Sequence, residues 1–127
     1  MTGGWLIDTS VLIDFLSGVD AAATVLERCR EVAPLHASEV TRLEVLAGMR
    51  DHEELATRSL LSIVTWHPVD AAVAERAGAL GRTWLPSHGG IDSADLAIAA
   101  TCMEIDATLV TKNVRHFPMF GDLQPPY

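Results

Sequence analysis

Cysteine, basic residues and long apolar runs are all scarce in this chain, and each shortage removes a class of protein. The two cysteines, Cys29 and Cys102, fall inside expected helices without zinc-like spacing, so they read as buried free thiols. No apolar stretch is long enough to span a bilayer, and no basic and then apolar leader opens the chain. A cytosolic protein with no membrane partner is therefore expected. Lysine and arginine number 9 against 17 aspartates and glutamates, a formal net charge of −8. A protein held to nucleic acid mainly by charge is usually basic. The balance argues against a nonspecific nucleic-acid coat, but not against a nuclease whose own site is acidic. Any RNA or DNA contact then needs a local basic patch, metal ions or a partner subunit. Low-complexity tracts, internal repeats and linkers are missing too. With 127 residues, nearly half of them apolar, residues 1–127 are expected to form one domain around one core.

What is present alternates. Residues 4–7 read as a first strand, and the spacing of Val11, Leu12, Phe15 and Leu16 turns helical over 9–15, with Gly18 as a stop. A helix follows over 20–31, and "APLHAS" reads as a second strand. Helices over 38–49 and 53–61 precede a third strand in "SIVTWHPV", stopped by Pro68. An alanine-rich helix from 70 to about 85, the loop signal "PSHGG" and an apolar helix over 92–104 lead to a fourth strand, "ATLVT". "FGDLQPPY" is a candidate edge strand. Strands separated by helices predict an α/β domain, its central, mostly parallel sheet of four or five strands flanked by helices. In such sheets the functional crevice lies at the carboxyl ends of the strands.

Acids recur where that crevice should be. Asp8 closes an apolar strand and is followed at once by Thr9 and Ser10, a costly place for a charge unless a cap or a cation justifies it. On the third helix Val40, Leu43 and Ala47 are expected to face the core, which puts Glu44 at the border of that stripe. Its alternative is local, because Thr41-x-x-Glu44 imitates a capping box. Asp92 and Asp95 share a helix face in the first turn. Asp92 suits an N-cap, whereas Asp95 shares its side with Ile98, Ala99 and Cys102 and so points inward. Carboxylates brought together from distant segments repel one another unless cations neutralise them. Oxygen donors without a Cys or His pattern suit Mg²⁺ or Mn²⁺, and an acidic magnesium pocket points to phosphodiester chemistry.

The stretches "LIDTSVLIDFL", "TRLEVLAG" and "DSADLAIAATCMEIDATLVTKNVRHFPMF", in that order, resemble a PIN domain. More narrowly they resemble the VapC-type toxins of bacterial type II toxin–antitoxin pairs. The resemblance covers nearly the whole chain and is weakest over 50–90. It implies a cytoplasmic endoribonuclease acting on structured RNA, tRNA or ribosomal RNA, with Asp8, Glu44 and Asp95 as catalytic, metal-binding acids. Water activated by Mg²⁺, or Mn²⁺, would attack phosphorus in line. Many relatives carry a further acid after the strand-four threonine, where this chain has Asn113, and Asp92 could supply the missing carboxylate. Thr9, Ser10, Thr111 and Asn113 would line the pocket. For RNA contact the candidates are Arg42, Arg50, Lys112 and Arg115, the last two better placed because they follow strand four. His36 and His88 show no ligand spacing, and His116 reads as structural. A homodimer and a cognate VapB-type antitoxin, in a heterotetramer or larger assembly, are the implied partners, and such a complex would offset part of the −8.

Two other classes fail on residues. A phospho-receiver needs an acidic pair after strand one and an aspartate after strand three, where this chain has a lone Asp8 and "WHPV". A haloacid-dehalogenase phosphatase needs Asp-x-Asp, where the second position is Ser10. A PIN fold that has lost activity and only binds an antitoxin is the remaining alternative, motivated by Asn113.

Overall fold

The computed structural model describes residues 3–127. Strands β1 (Trp5–Ile7), β2 (Leu35–Ser38), β3 (Thr65–His67) and β4 (Thr108–Val110) form one sheet in the order β3-β2-β1-β4, every pair parallel. Leu6 stands beside His36 on one side and Leu109 on the other. The helices are α1 (Thr9–Leu16), α2 (Asp20–Val32), α3 (Glu39–Ala47), α4 (Glu54–Ser62), α5 (Ala71–Trp84) and α6 (Ser93–Glu104). Short 3-10 turns occupy Asp51–Glu53 and Val114–His116.

Side-chain alternation along the strands makes two cores. Ile7, Leu35, Ala37 and Val110 join Val11, Leu12, Ala22, Leu26, Val45, Leu60 and Leu61 on the face covered by α1 to α4. Leu6 and Leu109 join Ile98, Ala99, Cys102 and Phe117 on the α6 face. Both cysteines are buried and free, as expected. Among the described residues no helix is long and apolar enough to cross a membrane.

Three expectations need correction. "FGDLQPPY" forms no strand: Phe120 and Leu123 pack on the α6-side core, while Pro125 and Pro126 have no N–H to give a ladder. The described sheet therefore has four strands. The eight-residue run "SIVTWHPV" yields only Thr65–His67, because Ser62 still belongs to α4 and Ile63 ends it. On α3 the inward residues are Thr41 and Val45, at 0% and 3% exposure, and Leu43 is 63% exposed. Helix α3 packs against α1 and α6, and that wedge turns Thr41 and Val45 fully inward; of the expected stripe Val40 packs on the α6-side core, while Leu43 and Ala47 are exposed.

Candidate metal centre

Asp8 follows β1 directly, and its backbone N–H donates to the Val110 carbonyl of β4 at 2.9 Å. Its φ and ψ of −71° and 153° are those of an N-cap for α1, yet its side chain makes no capping hydrogen bond. Instead Oδ2 accepts the Ser10 hydroxyl at 2.7 Å and the Thr111 hydroxyl at 2.8 Å. The carboxylate is 3% exposed. Thr111 in turn accepts the Asn113 N–H at 2.9 Å, and Ser10 Oγ accepts the Lys112 N–H at 3.4 Å. Residues separated by a hundred positions are thus tied together because β1 and β4 are neighbours.

Glu44 comes to the same edge from α3. Its Oε1 accepts the Thr9 hydroxyl at 2.7 Å, and Thr9 also bonds Thr41 Oγ1 at 2.9 Å. The capping-box alternative fails, since α3 is capped by Ser38, whose Oγ accepts from Val40 N at 3.2 Å. Thr41 was not among the expected pocket residues; its spacing marked it only as a capping partner of Glu44.

Asp95 sits in the first turn of α6. The helix precedes a parallel strand, so it begins at the strands' carboxyl edge. Asp95 N donates to Asp92 Oδ1 at 2.8 Å and Asp92 N to Asp95 Oδ2 at 3.1 Å, a reciprocal capping box with Asp92 exposed as its N-cap. Asp95 is 8% exposed, as its inward side predicts. Burial above all pushes its carboxyl up to about 6, with the Asp92 charge adding to the rise; the Asp92 N–H and the charge of His116 oppose it. His116 Nδ1 lies 3.2 Å from Asp95 Oδ2, so a residue read as structural touches a site acid.

The donor set has the chemistry a hard divalent cation requires. Among the described residues neither Asp8 nor Glu44 has a basic side chain within ion-pair distance, although Asp8 is nearly buried. No three His, Cys, Asp or Glu side chains among those residues are grouped to hold an ion as they stand. Hydroxyls hold the carboxylates of Asp8 and Glu44, whereas Asp95 is held by the Asp92 N–H and His116.

The basic candidates divide. Arg42 donates to Glu39 at 2.5 Å and stacks 4.4 Å from the Trp66 ring centre, so it is engaged within the fold. Arg50 lies 4.0 Å from Glu53 on an exposed turn. Lys112 Nζ is 2.5 Å from Asp14 Oδ2, which also accepts the Tyr127 hydroxyl at 2.7 Å. Arg115 is exposed and has no ion-pair partner among the described residues. His36 bonds His67 at 2.8 Å across β2 and β3, and His88 bonds Ser87; among the described residues neither pairs with Asp8, Glu44 or Asp95.

A family model described as the PIN domain matches residues 5–120. The chain is 48% identical over 123 residues to ribonuclease VapC19 of Mycobacterium tuberculosis, covering 96% of this chain and 98% of that protein. It is 41% identical over 122 residues to ribonuclease VapC10 of the same organism, covering 96% and 92%. Among solved structures, a toxin–antitoxin complex from Klebsiella pneumoniae contains a chain similar at a TM-score of 0.83 and 30% identity, with 98% of each chain covered.

Proposed function

The chain belongs to the PIN-domain family, in the branch of the VapC ribonucleases, and from that premise we propose that it is the toxin of a type II toxin–antitoxin pair. In this reading residues 1–127 are one PIN domain, a cytoplasmic Mg²⁺-dependent endoribonuclease that cuts structured RNA, tRNA or ribosomal RNA, and accepts Mn²⁺. The observation that carries the reading is Asp8: a carboxylate 3% exposed at the end of a central strand, in cap position but not capping, with no basic partner among the described residues.

Asp8, Glu44 and Asp95 would hold the ion, which when bound neutralises their charge and lowers the pKa of its water toward neutrality. The chain's other side chains aim these acids. Ser10 and Thr111 fix the Asp8 carboxylate, Thr9 holds Glu44, and Asp92 sets the orientation of Asp95 through the reciprocal cap. Asn113 braces Thr111 through its backbone N–H. Arg115, exposed and with no ion-pair partner among the described residues, offers its guanidinium to an RNA phosphate, and Lys112 a second cation set by Asp14.

The partner is a VapB-type antitoxin, supported by the likeness to the Klebsiella complex and by a net charge of −8, which suits a basic segment. A homodimer carrying antitoxin in a heterotetramer or larger assembly completes the proposal. The deciding experiment is incubation of the purified chain, free of antitoxin, with total RNA in Mg²⁺ and in EDTA. Cleavage in Mg²⁺ alone, slowed at least ~100-fold in Asp8→Asn at unchanged circular dichroism, supports it. Failure to cut any RNA with Mg²⁺ or Mn²⁺ leaves an antitoxin-binding fold without catalysis.

A further inference from the structure

The proposed three-acid set of Asp8, Glu44 and Asp95 leaves open what stands where a further acid is missing. Asp92 is exposed, and its Oδ1 is taken by the Asp95 N–H. Asn113 is exposed, and its recorded bonds among the described residues are made by its backbone. The side chain that does reach a site acid from the β4 side is His116. It ends the 3-10 turn Val114–His116, its N–H bonds the Asn113 carbonyl at 2.9 Å, and the fully buried Phe117 follows it. A side chain so braced on both sides is placed by the fold rather than by chance rotation.

Resting on the metal-site reading above, we propose that His116 gives a nitrogen donor to the ion held at Asp95, so that this site favours Mn²⁺ over Mg²⁺. The distance fits. Nδ1 and Oδ2 lie 3.2 Å apart. Adjacent donors on a six-coordinate ion with bonds of about 2.2 Å stand about 3.1 Å apart, the bond length times the square root of two. One small movement of the ring therefore converts a contact between side chains into two cis ligands of one ion. The chemistry fits as well. Mg²⁺ holds to oxygen and releases water reluctantly, whereas imidazole binds first-row transition ions, and Mn²⁺ is the one nearest to Mg²⁺ in its demand for carboxylates and water. The remaining ring nitrogen stays free for solvent or an RNA phosphate.

The test uses the full-length chain, stripped of metal by chelation and given one equivalent of Mn²⁺. Pulsed electron paramagnetic resonance reads nitrogen hyperfine coupling from a directly bound imidazole. The wild-type chain is expected to show that coupling, and His116→Ala and His116→Asp to lose it while keeping their circular dichroism. Calorimetry should find Mn²⁺ bound about tenfold more weakly by His116→Ala. Mg²⁺ affinity should change less, and His116→Asp should shift the preference back to Mg²⁺. Mn²⁺ that binds the wild type and is lost from Asp8→Asn, yet shows no nitrogen coupling, overturns the His116 assignment and leaves the acidic centre standing. Coupling that persists in His116→Ala overturns it equally, tracing the signal to another histidine. Absence of any Mn²⁺ or Mg²⁺ binding removes the metal-centre reading and this assignment together.

Discussion

At the scale of single residues, helices α1, α3, α5 and α6 each start after a side chain able to cap them: Asp8, Ser38, Asp70 and Asp92. Three of the four do so. Asp8 differs because Thr111 follows the neighbouring strand β4, and its hydroxyl competes for the carboxylate at 2.8 Å. Replacing that donor leaves a nearly buried charge with the Ser10 hydroxyl alone. Thr111→Val should therefore lower unfolding free energy by about 1–3 kcal/mol, read from the urea midpoint, and slow RNA cleavage as well. Asp8, Glu44 and Asp95 stood out in the sequence as candidates because each is a charge set at an apolar boundary. His116 did not, since no spacing rule says that a 3-10 turn five residues past Thr111 returns a ring to the start of α6.

At the scale of elements, α3 shows where a hydrophobic pattern misleads. Leucine at position 43 outranks threonine at 41 on any apolar scale, yet Thr41 is buried and Leu43 exposed. The Thr9 hydroxyl partners Thr41 and removes the cost of burying it. Val45→Ala is accordingly expected to cost about 2 kcal/mol, and Leu43→Ala to stay within about 0.5 kcal/mol in the isolated chain, by thermal or urea melting. The β2–β3 pair carries its own pH dependence. Burial lowers the pKa of both His36 and His67 from 6.5, and for His36 the His67 charge adds to the effect. Their 2.8 Å contact needs one N–H and one lone pair, so two protonated rings cannot keep it. With folded values below the unfolded one, the stabilisation is whole above pH 6.5 and is lost as pH falls through the lowered values. Melting temperature measured from about pH 7.5 to about pH 5 should fall more steeply in the wild type than in His67→Gln.

At the scale of the whole molecule, the net charge of −8 acts in the same direction as Asp8 and Glu44, which have no basic partner among the described residues. A divalent cation that binds only the folded chain stabilises it by mass action, about 2.7 kcal/mol at a hundred times Kd. Melting temperature should rise with added Mg²⁺ or Mn²⁺, return on chelation, and stay flat in Asp8→Asn.

The order of strands and helices, the parallel sheet and the inward side of Asp95 were written in the sequence, because apolar periodicity is a local signal. Tertiary structure alone decided that the described sheet stops at four strands and that α3 turns Thr41 and Val45 inward. It also brought Thr111 to Asp8 and His116 to Asp95. Those outcomes depend on which neighbour reaches a polar group first, and that is fixed only when segments a hundred residues apart pack side by side.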